Sequence, residues 1–168
     1  MEYTVMKHSV IDQSVSDSSD KEYQANEQIV ETFISVFSDM QFDTVSRIND
    51  IYEPHIVFVD PFHEIHGLQP LGEYFAEMYK NVAHCQFRFH KHFIDTNSGK
   101  ATSAALFWTM TLRHKTFDKH NTVEINGCSL IRFGKKVHFH QDYFDAGALI
   151  YERVPLLGRV IKTIKARV

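Results

Sequence analysis

The hydrophobic period of this chain changes once, near Val82, and that change decides what the chain can fold into. Before it, apolar residues recur at helical spacing, in Ile29, Val30, Phe33, Ile34 and Phe37 and again in Leu71, Tyr74, Phe75, Met78 and Tyr79. After it they alternate, with Phe87, Phe89 and Phe93 interleaved with Arg88, His90 and His92. The spacing predicts a first helix from Glu27 to about Met40 and a short second one, capped by Asp43, to about Ile51. A short strand over Ile56–Val59 and a helix over Leu68–Val82 follow. Four long strands come last, with turns at Asn97-Ser98-Gly99-Lys100 and Gly134-Lys135. Helices followed by strands predict an α+β domain, a curved, cone-shaped antiparallel sheet covered on one face by the N-terminal helices. The mouth of such a cone is the usual place for a small-ligand pocket.

The 168 residues suffice for one domain with a sizeable core. Residues 26–150 are expected to form it. Residues 1–25, rich in Ser and acids, read as a flexible tail, and residues 151–168 as a basic amphipathic helix. A formal net charge of −3 gives no footprint for nucleic acid. Cys85 and Cys128 show no metal or redox spacing and fit a reducing compartment. No apolar run approaches the roughly 18 residues of a bilayer span, and the start lacks a secretory pattern, so the expected location is cytoplasmic. The basic helix could touch anionic lipid, although a solvated surface helix is the favoured reading.

Chemistry concentrates between Val137 and Asp145. Read as a strand, this stretch puts His138, His140, Asp142 and Phe144 on one face and Val137, Phe139, Gln141 and Tyr143 on the other. A mid-strand Asp runs against propensity, and beside His it is a candidate acid–base group. From spacing alone, a solvated sheet edge is the commoner outcome. Asp60, ahead of Pro61, is either a second pocket carboxylate or a turn former. Asp145 reads as the cap of a final helix. The pairs His90-x-His92 and His138-x-His140 could each chelate a metal, but no third ligand is legible, and neither a metal nor a cofactor is expected.

The order of elements over roughly residues 26–150 resembles the nuclear transport factor 2-like superfamily, which includes SnoaL-like polyketide cyclases, ketosteroid isomerase and limonene-epoxide hydrolase. Two motifs carry the resemblance: Ile56-Val57-Phe58-Val59-Asp60-Pro61 followed by Gly67 and a helix, and Asp142-Tyr143-Phe144-Asp145 on the last strand. The first is similar to that of ketosteroid isomerase, in which the matching Asp60 would be the general base. The oxyanion-hole positions of that enzyme fall on Phe33 and Ser129, and Phe33 has no proton to donate. The second is similar to limonene-epoxide hydrolase, in which Asp142 would activate water. There the partner Arg and Asp fall on Thr109 and Thr111, and the water-positioning Tyr and Asn on Val57 and Val59. Neither constellation is complete.

What remains resembles the broad SnoaL-like set, and the resemblance implies acid–base work on a small apolar molecule. Asp142, Asp60 and His140 are then the catalytic candidates. Phe33, Val57, Val59, His63, Tyr74, Thr109, Thr111 and Phe144 are the expected lining. The resemblance also implies a homodimer through the outer sheet face, where an alternating apolar surface would otherwise be exposed. A non-catalytic ligand-binding or protein-interaction module of the same fold stays open beside the enzyme.

Overall fold

The computed structural model describes residues 11–80, 82–95, 102–114 and 122–149. The expected basic helix over 151–168 lies outside the described residues. Helix α1 (Ile11–Ser38) buries Val30, Phe33, Val36 and Phe37, at the spacing of one helical stripe. It begins well before the predicted Glu27. Residues 20–25 are exposed, so this extension has no apolar stripe from which periodicity could detect it. A 3-10 turn (Phe42–Arg47) leads into α2 (Ile48–Ile51). The predicted cap, Asp43, lies inside that turn; Gln41 takes its place, its backbone N–H donating to Thr44 Oγ1 at 2.7 Å.

Strand β1 (Tyr52–Val59) starts earlier than expected and runs through Pro54. Its pairing register shifts between Tyr52 and Val57, and such an irregularity is where a strand tolerates a proline. The short β2 (Glu64–His66) returns along it. Gly67 then takes φ +95, a left-handed turn that a side chain would strain, and sends the chain into α3 (Leu68–Lys80). Four strands follow: β3 (Val82–Asp95), β4 (Thr102–His114), β5 (Val123–Phe133) and β6 (Val137–Phe144). A short α4 (Ala146–Leu149) comes after them.

The six strands form one open sheet in the order β2-β1-β6-β5-β4-β3. The long strands pair antiparallel in meander order, as expected, but β1 lies parallel to β6, so the sheet is mixed. This pairing brings the two ends of the domain together. Helix α1 lies along β3 and α3 against β1, both on one face of the sheet. His92 Nε2 meets Glu27 Oε2 at 2.8 Å, and Gln41 Nε2 donates to the Cys85 carbonyl at 3.2 Å, tying the middle of α1 and the turn after it to β3. Between the layers Phe33, Phe37, Tyr52, Ile56, Phe58, Phe75, Leu106 and Ile131 form the core. Each fully buried Phe or Leu contributes roughly 1.5–3 kcal/mol, so this layer dominates the stability.

Two β-bulges decide which polar side chains enter that layer. On β6, Phe133 pairs with Val137 and Arg132 with Phe139, leaving His138 as the extra residue. Val137 and His140 therefore share the inner face, both fully buried, and His138 drops out of the row predicted for it. On β3, Phe89 pairs with Trp108 and Lys91 with Phe107, so His90 is the extra residue. It meets Thr109 on the outer face, while His92 turns inward to Glu27. Neither predicted His-x-His pair shares a face.

Candidate active site

The centre of the inner face is polar. His140, on β6, is fully buried, with the rings of Phe33, Phe37 and Phe58 at 5.1–5.6 Å around it. Its Nδ1 lies 2.5 Å from Tyr52 Oη and its Nε2 lies 2.8 Å from Asp142 Oδ1. The Ser129 hydroxyl donates to the same Asp142 oxygen at 2.5 Å, and Trp108 Nε1 donates to Ser129 Oγ at 2.9 Å. Five side chains from four strands thus form one chain of hydrogen bonds.

The directions in that chain follow from the donors. An indole N–H can only donate, so Ser129 Oγ accepts from Trp108 and turns its own proton to Asp142. Asp142 Oδ1 is then an acceptor, and the matching tautomer of His140 donates from Nε2 and accepts from Tyr52 at Nδ1. Burial, and after it the Asp142 charge, raises the Tyr52 pKa well above its ordinary value, which keeps the phenol a donor. Every proton in the network points toward Asp142. Its Oδ1 is saturated, whereas its Oδ2 takes no hydrogen bond among the described residues. The Asp142 side chain is 15% exposed, whereas that of His140 is fully buried.

Asp60 is held differently. Its Oδ1 accepts the backbone N–H groups of Phe62 and His63, both at 2.7 Å, and its Oδ2 accepts the Tyr74 hydroxyl at 2.5 Å. It is the turn former and an inward-facing carboxylate at once, and the side chain is only 6% exposed. Both oxygens are engaged, so Asp60 anchors Tyr74 instead of standing ready as a base. Tyr74 is raised by burial first and by Asp60 next, with a smaller contribution from Asp142 that places the two carboxylates in one electrostatic neighbourhood.

Of the expected lining, His63, Tyr74 and Phe144 gather here. Phe144 follows Asp142 on the inner face, 6.3 Å from Trp108 and 6.0 Å from Phe62. The exposed His63 ring is 5.0 Å from Tyr74. Phe33 is core, edge-on to His140. Val57 and Val59 alternate with the buried Ile56 and Phe58, and Thr109 and Thr111 with the inner Trp108 and Met110. All four therefore face outward, contrary to the expected register, because a shift of one residue inverts the face of a strand. Thr109 instead bonds His90 at 2.8 Å and Asn126 at 2.7 Å on the outer face of the sheet, where it is itself buried.

Sequence reasoning gave no role to Tyr52 and Phe62, and met Ser129 only as the residue at an oxyanion-hole position of the resembled isomerase. Ser129 carried a signal, being the polar member of the inner row Ile125, Ser129, Ile131 and Phe133. Tyr52 carried none, since the irregular start of β1 hides its phase. A surface groove of about 660 Å³ lies elsewhere, lined by Val45, Ile48, Pro54, Leu68 and Gly72 among others, and holds none of these side chains. Among the described residues no group of three could hold a metal ion.

The model of the SnoaL-like domain matches residues 30–137, well over half of the chain. The chain belongs to the SnoaL-like family. The SnoaL-like match begins on α1 and ends where β6 starts, leaving Asp142 just beyond it. No curated protein sequence matches the chain. Among solved structures, a protein of Catenulispora acidiphila with a ketosteroid isomerase-like fold, in complex with trimethylamine, is 11% identical with TM-score 0.61. That similarity covers 74% of this chain and 90% of the other. A candidate SnoaL-like polyketide cyclase from Jannaschia is also 11% identical with TM-score 0.61, covering 77% and 93%. TerC, co-crystallised with polyporic acid, is 13% identical with TM-score 0.60, covering 72% and 94%. At these identities the likeness shows the fold. No helix among the described residues is long and apolar enough to cross a membrane.

Proposed function

We propose that this SnoaL-like protein is a cofactor-independent acid–base enzyme, an isomerase, cyclase or hydrolase of a small, largely apolar molecule, with Asp142 as its base. The observation that carries the reading is the asymmetry of that carboxylate. One oxygen is fixed by Ser129 and His140, and the other takes no hydrogen bond among the described residues, on a side chain that is 15% exposed. An oriented carboxylate of this kind accepts a proton without reorganising, and a positioned general base contributes roughly 10²–10⁴-fold. His140 and Ser129 act as positioning residues. Asp60 acts through Tyr74, whose oxygen keeps a lone pair for a substrate hydroxyl or water. The solved relatives holding trimethylamine and polyporic acid are consistent with a small-molecule role for the fold.

The test is solvent deuterium exchange into a panel of β-keto compounds, together with turnover of epoxides, comparing the protein with Asp142→Asn. The variant should lose exchange or turnover by at least 100-fold, and equal rates would remove Asp142 from the mechanism. A second reading, a ligand-holding module of the same fold, is favoured by Phe33, which supplies no donor where the isomerase-like site would need one. In either case the outer sheet face, with Phe107 43% and Tyr143 51% exposed beside Cys128 and Leu130, is proposed to pair two copies.

A further inference from the structure

The surface groove of about 660 Å³ lies on the far side of α3 from Asp60. Successive residues of a helix turn by about 100°, so Gly72 and Ala76, two places either side of Tyr74, point away from it. Tyr74 reaches Asp60, whereas Gly72 and Ala76 open the groove together with Leu68, Pro54 and a floor of buried Val45 and Ile48. All six of these lining residues are apolar. Among the described residues of the lining Glu73 alone is charged, and the exposed Asp50 and Glu77 beside the rim are acids as well. The cations nearby are engaged: Lys80 pairs with Glu77 at 3.4 Å, Arg47 with Asp39 at 3.7 Å, and Lys136 donates to the Asn49 carbonyl at 2.7 Å.

The chain's own sequence holds a segment that matches this groove in apolar pattern and in charge. Beyond Leu149, Leu157, Ile161 and Ile164 recur at helical spacing, and Arg153, Arg159, Lys162, Lys165 and Arg167 stand against one acid, Glu152. Anchors at that spacing are what an amphipathic helix lays into an apolar groove. Phe144, at the end of β6, lies 6.0 Å from Phe62, which donates its backbone N–H to the same Asp60 that holds Tyr74. The chain therefore leaves the sheet on the Tyr74 side of α3, and the groove is one helix width away, about 10–12 Å. Residues 150–156 alone span about 23 Å when extended. A tether of this length holds the segment near the groove at an effective concentration on the order of millimolar, which no free partner matches. We infer that residues 156–165 dock into this groove of their own chain, the apolar stripe on its floor and the basic face toward Glu73. The segment then crosses α3 as a strap that fastens the end of β6 to α2. Nothing in this depends on Asp142 acting as a base.

Hydrogen–deuterium exchange of the full-length protein, read by mass spectrometry at pH 7, tests the docking. Residues 157–164 should exchange at least tenfold more slowly than the same segment as a free peptide. Ala76→Arg, which fills the groove and reverses its charge, should remove that protection. Ile161→Asp should remove it too, and should also speed exchange at least threefold over residues 42–51, the opposite wall. That reciprocal effect separates docking here from docking elsewhere on the molecule. Exchange of 157–164 at the free-peptide rate, or protection unmoved by Ala76→Arg, overturns the inference. Protection that grows between 1 and 50 μM protein gives the groove to a second copy, and protection that requires vesicles of anionic lipid gives the segment to a membrane; either result also overturns it. Circular dichroism checks that each variant is folded. If Ala76→Arg fails to fold, Glu73→Lys at an exposed side chain carries the same test, with at least a threefold loss of protection expected and an unchanged rate overturning the inference.

Discussion

The Tyr52 hydroxyl lies 2.5 Å from His140 Nδ1, where neither side chain is more than 1% exposed. The parallel pairing of β1 with β6 creates this contact, bridging residues 88 positions apart. Removing the hydroxyl leaves a buried ring nitrogen without a partner, which costs about 1–3 kcal/mol. Tyr52→Phe should therefore lower the stability by that amount in urea unfolding. It should also release the His140 tautomer, visible as a shifted or broadened ring resonance in ¹⁵N NMR. An unchanged His140 spectrum would show that Tyr52 does not set the tautomer.

Gly127 lies flat beneath the Trp108 indole, and a Cβ built on it falls 2.2 Å from the ring. Gly127→Ala must displace the indole that donates to Ser129, and overpacking of this kind costs roughly 1–3 kcal/mol. The variant should fold less stably, shift the tryptophan emission and weaken any Asp142-dependent activity. Retained stability together with an unmoved emission maximum would show that the indole has another place to go.

Alkali should destabilise the protein in two stages. Burial pushes the Cys85 thiol from 9.0 up to about 11, opposed by a hydrogen bond with Tyr79. Tyr52, Tyr74 and Tyr79 are raised above 10.0, chiefly by burial. All four groups hold their protons more tightly when folded. The associated stability is complete below pH 9 and is lost as pH rises, first between 9 and 11 from Cys85 and then from 10 upward from the tyrosines. For Cys85 alone the loss is about 2–3 kcal/mol. The melting temperature should fall over this range, and Cys85→Ala should flatten the first stage. A melting temperature independent of pH up to 11 would contradict the burial of these groups.

On the outer face Phe107 and Phe93 meet edge to face at 6.2 Å, and both are exposed. If two copies pair here, Phe107→Lys should convert a dimer into a monomer in light scattering, leaving circular dichroism unchanged. A wild-type monomer at 100 μM would remove the proposed interface.

Much of this architecture was legible because the change of period is coarse. Helices α1 and α3 and the four long strands each bury a full stripe or face, and that burial writes itself into the spacing of Phe33, Phe37, Leu71, Phe75, Leu106 and Ile131. Asp142 and His140 were legible for the opposite reason, since polar groups inside an apolar row need partners. The extended start of α1 was not legible, because its exposed residues have no face to pattern. The lining was only half legible. Val57, Val59, Thr109 and Thr111 were assigned to the inner face by resemblance, where a single residue of register decides, and each lies one place away from a residue of the inner row. The distinction between Asp60 and Asp142 required coordinates, because it depends on how many donors each carboxylate already has.

The extra residue at His138 does more than bend a strand. It resets the frame so that positions 140, 142 and 144 meet the interior in step with Val137, while Phe139 and Gln141 meet the exterior. The interior charge of this domain is consequently a matter of counting. Gain of one residue between the bulge and Gln141 would present Gln141 where the carboxylate stands, replacing a proton acceptor by a neutral amide. A lineage carrying this sheet could silence or restore its chemistry through single-residue indels in β6, with the other five strands left as they were.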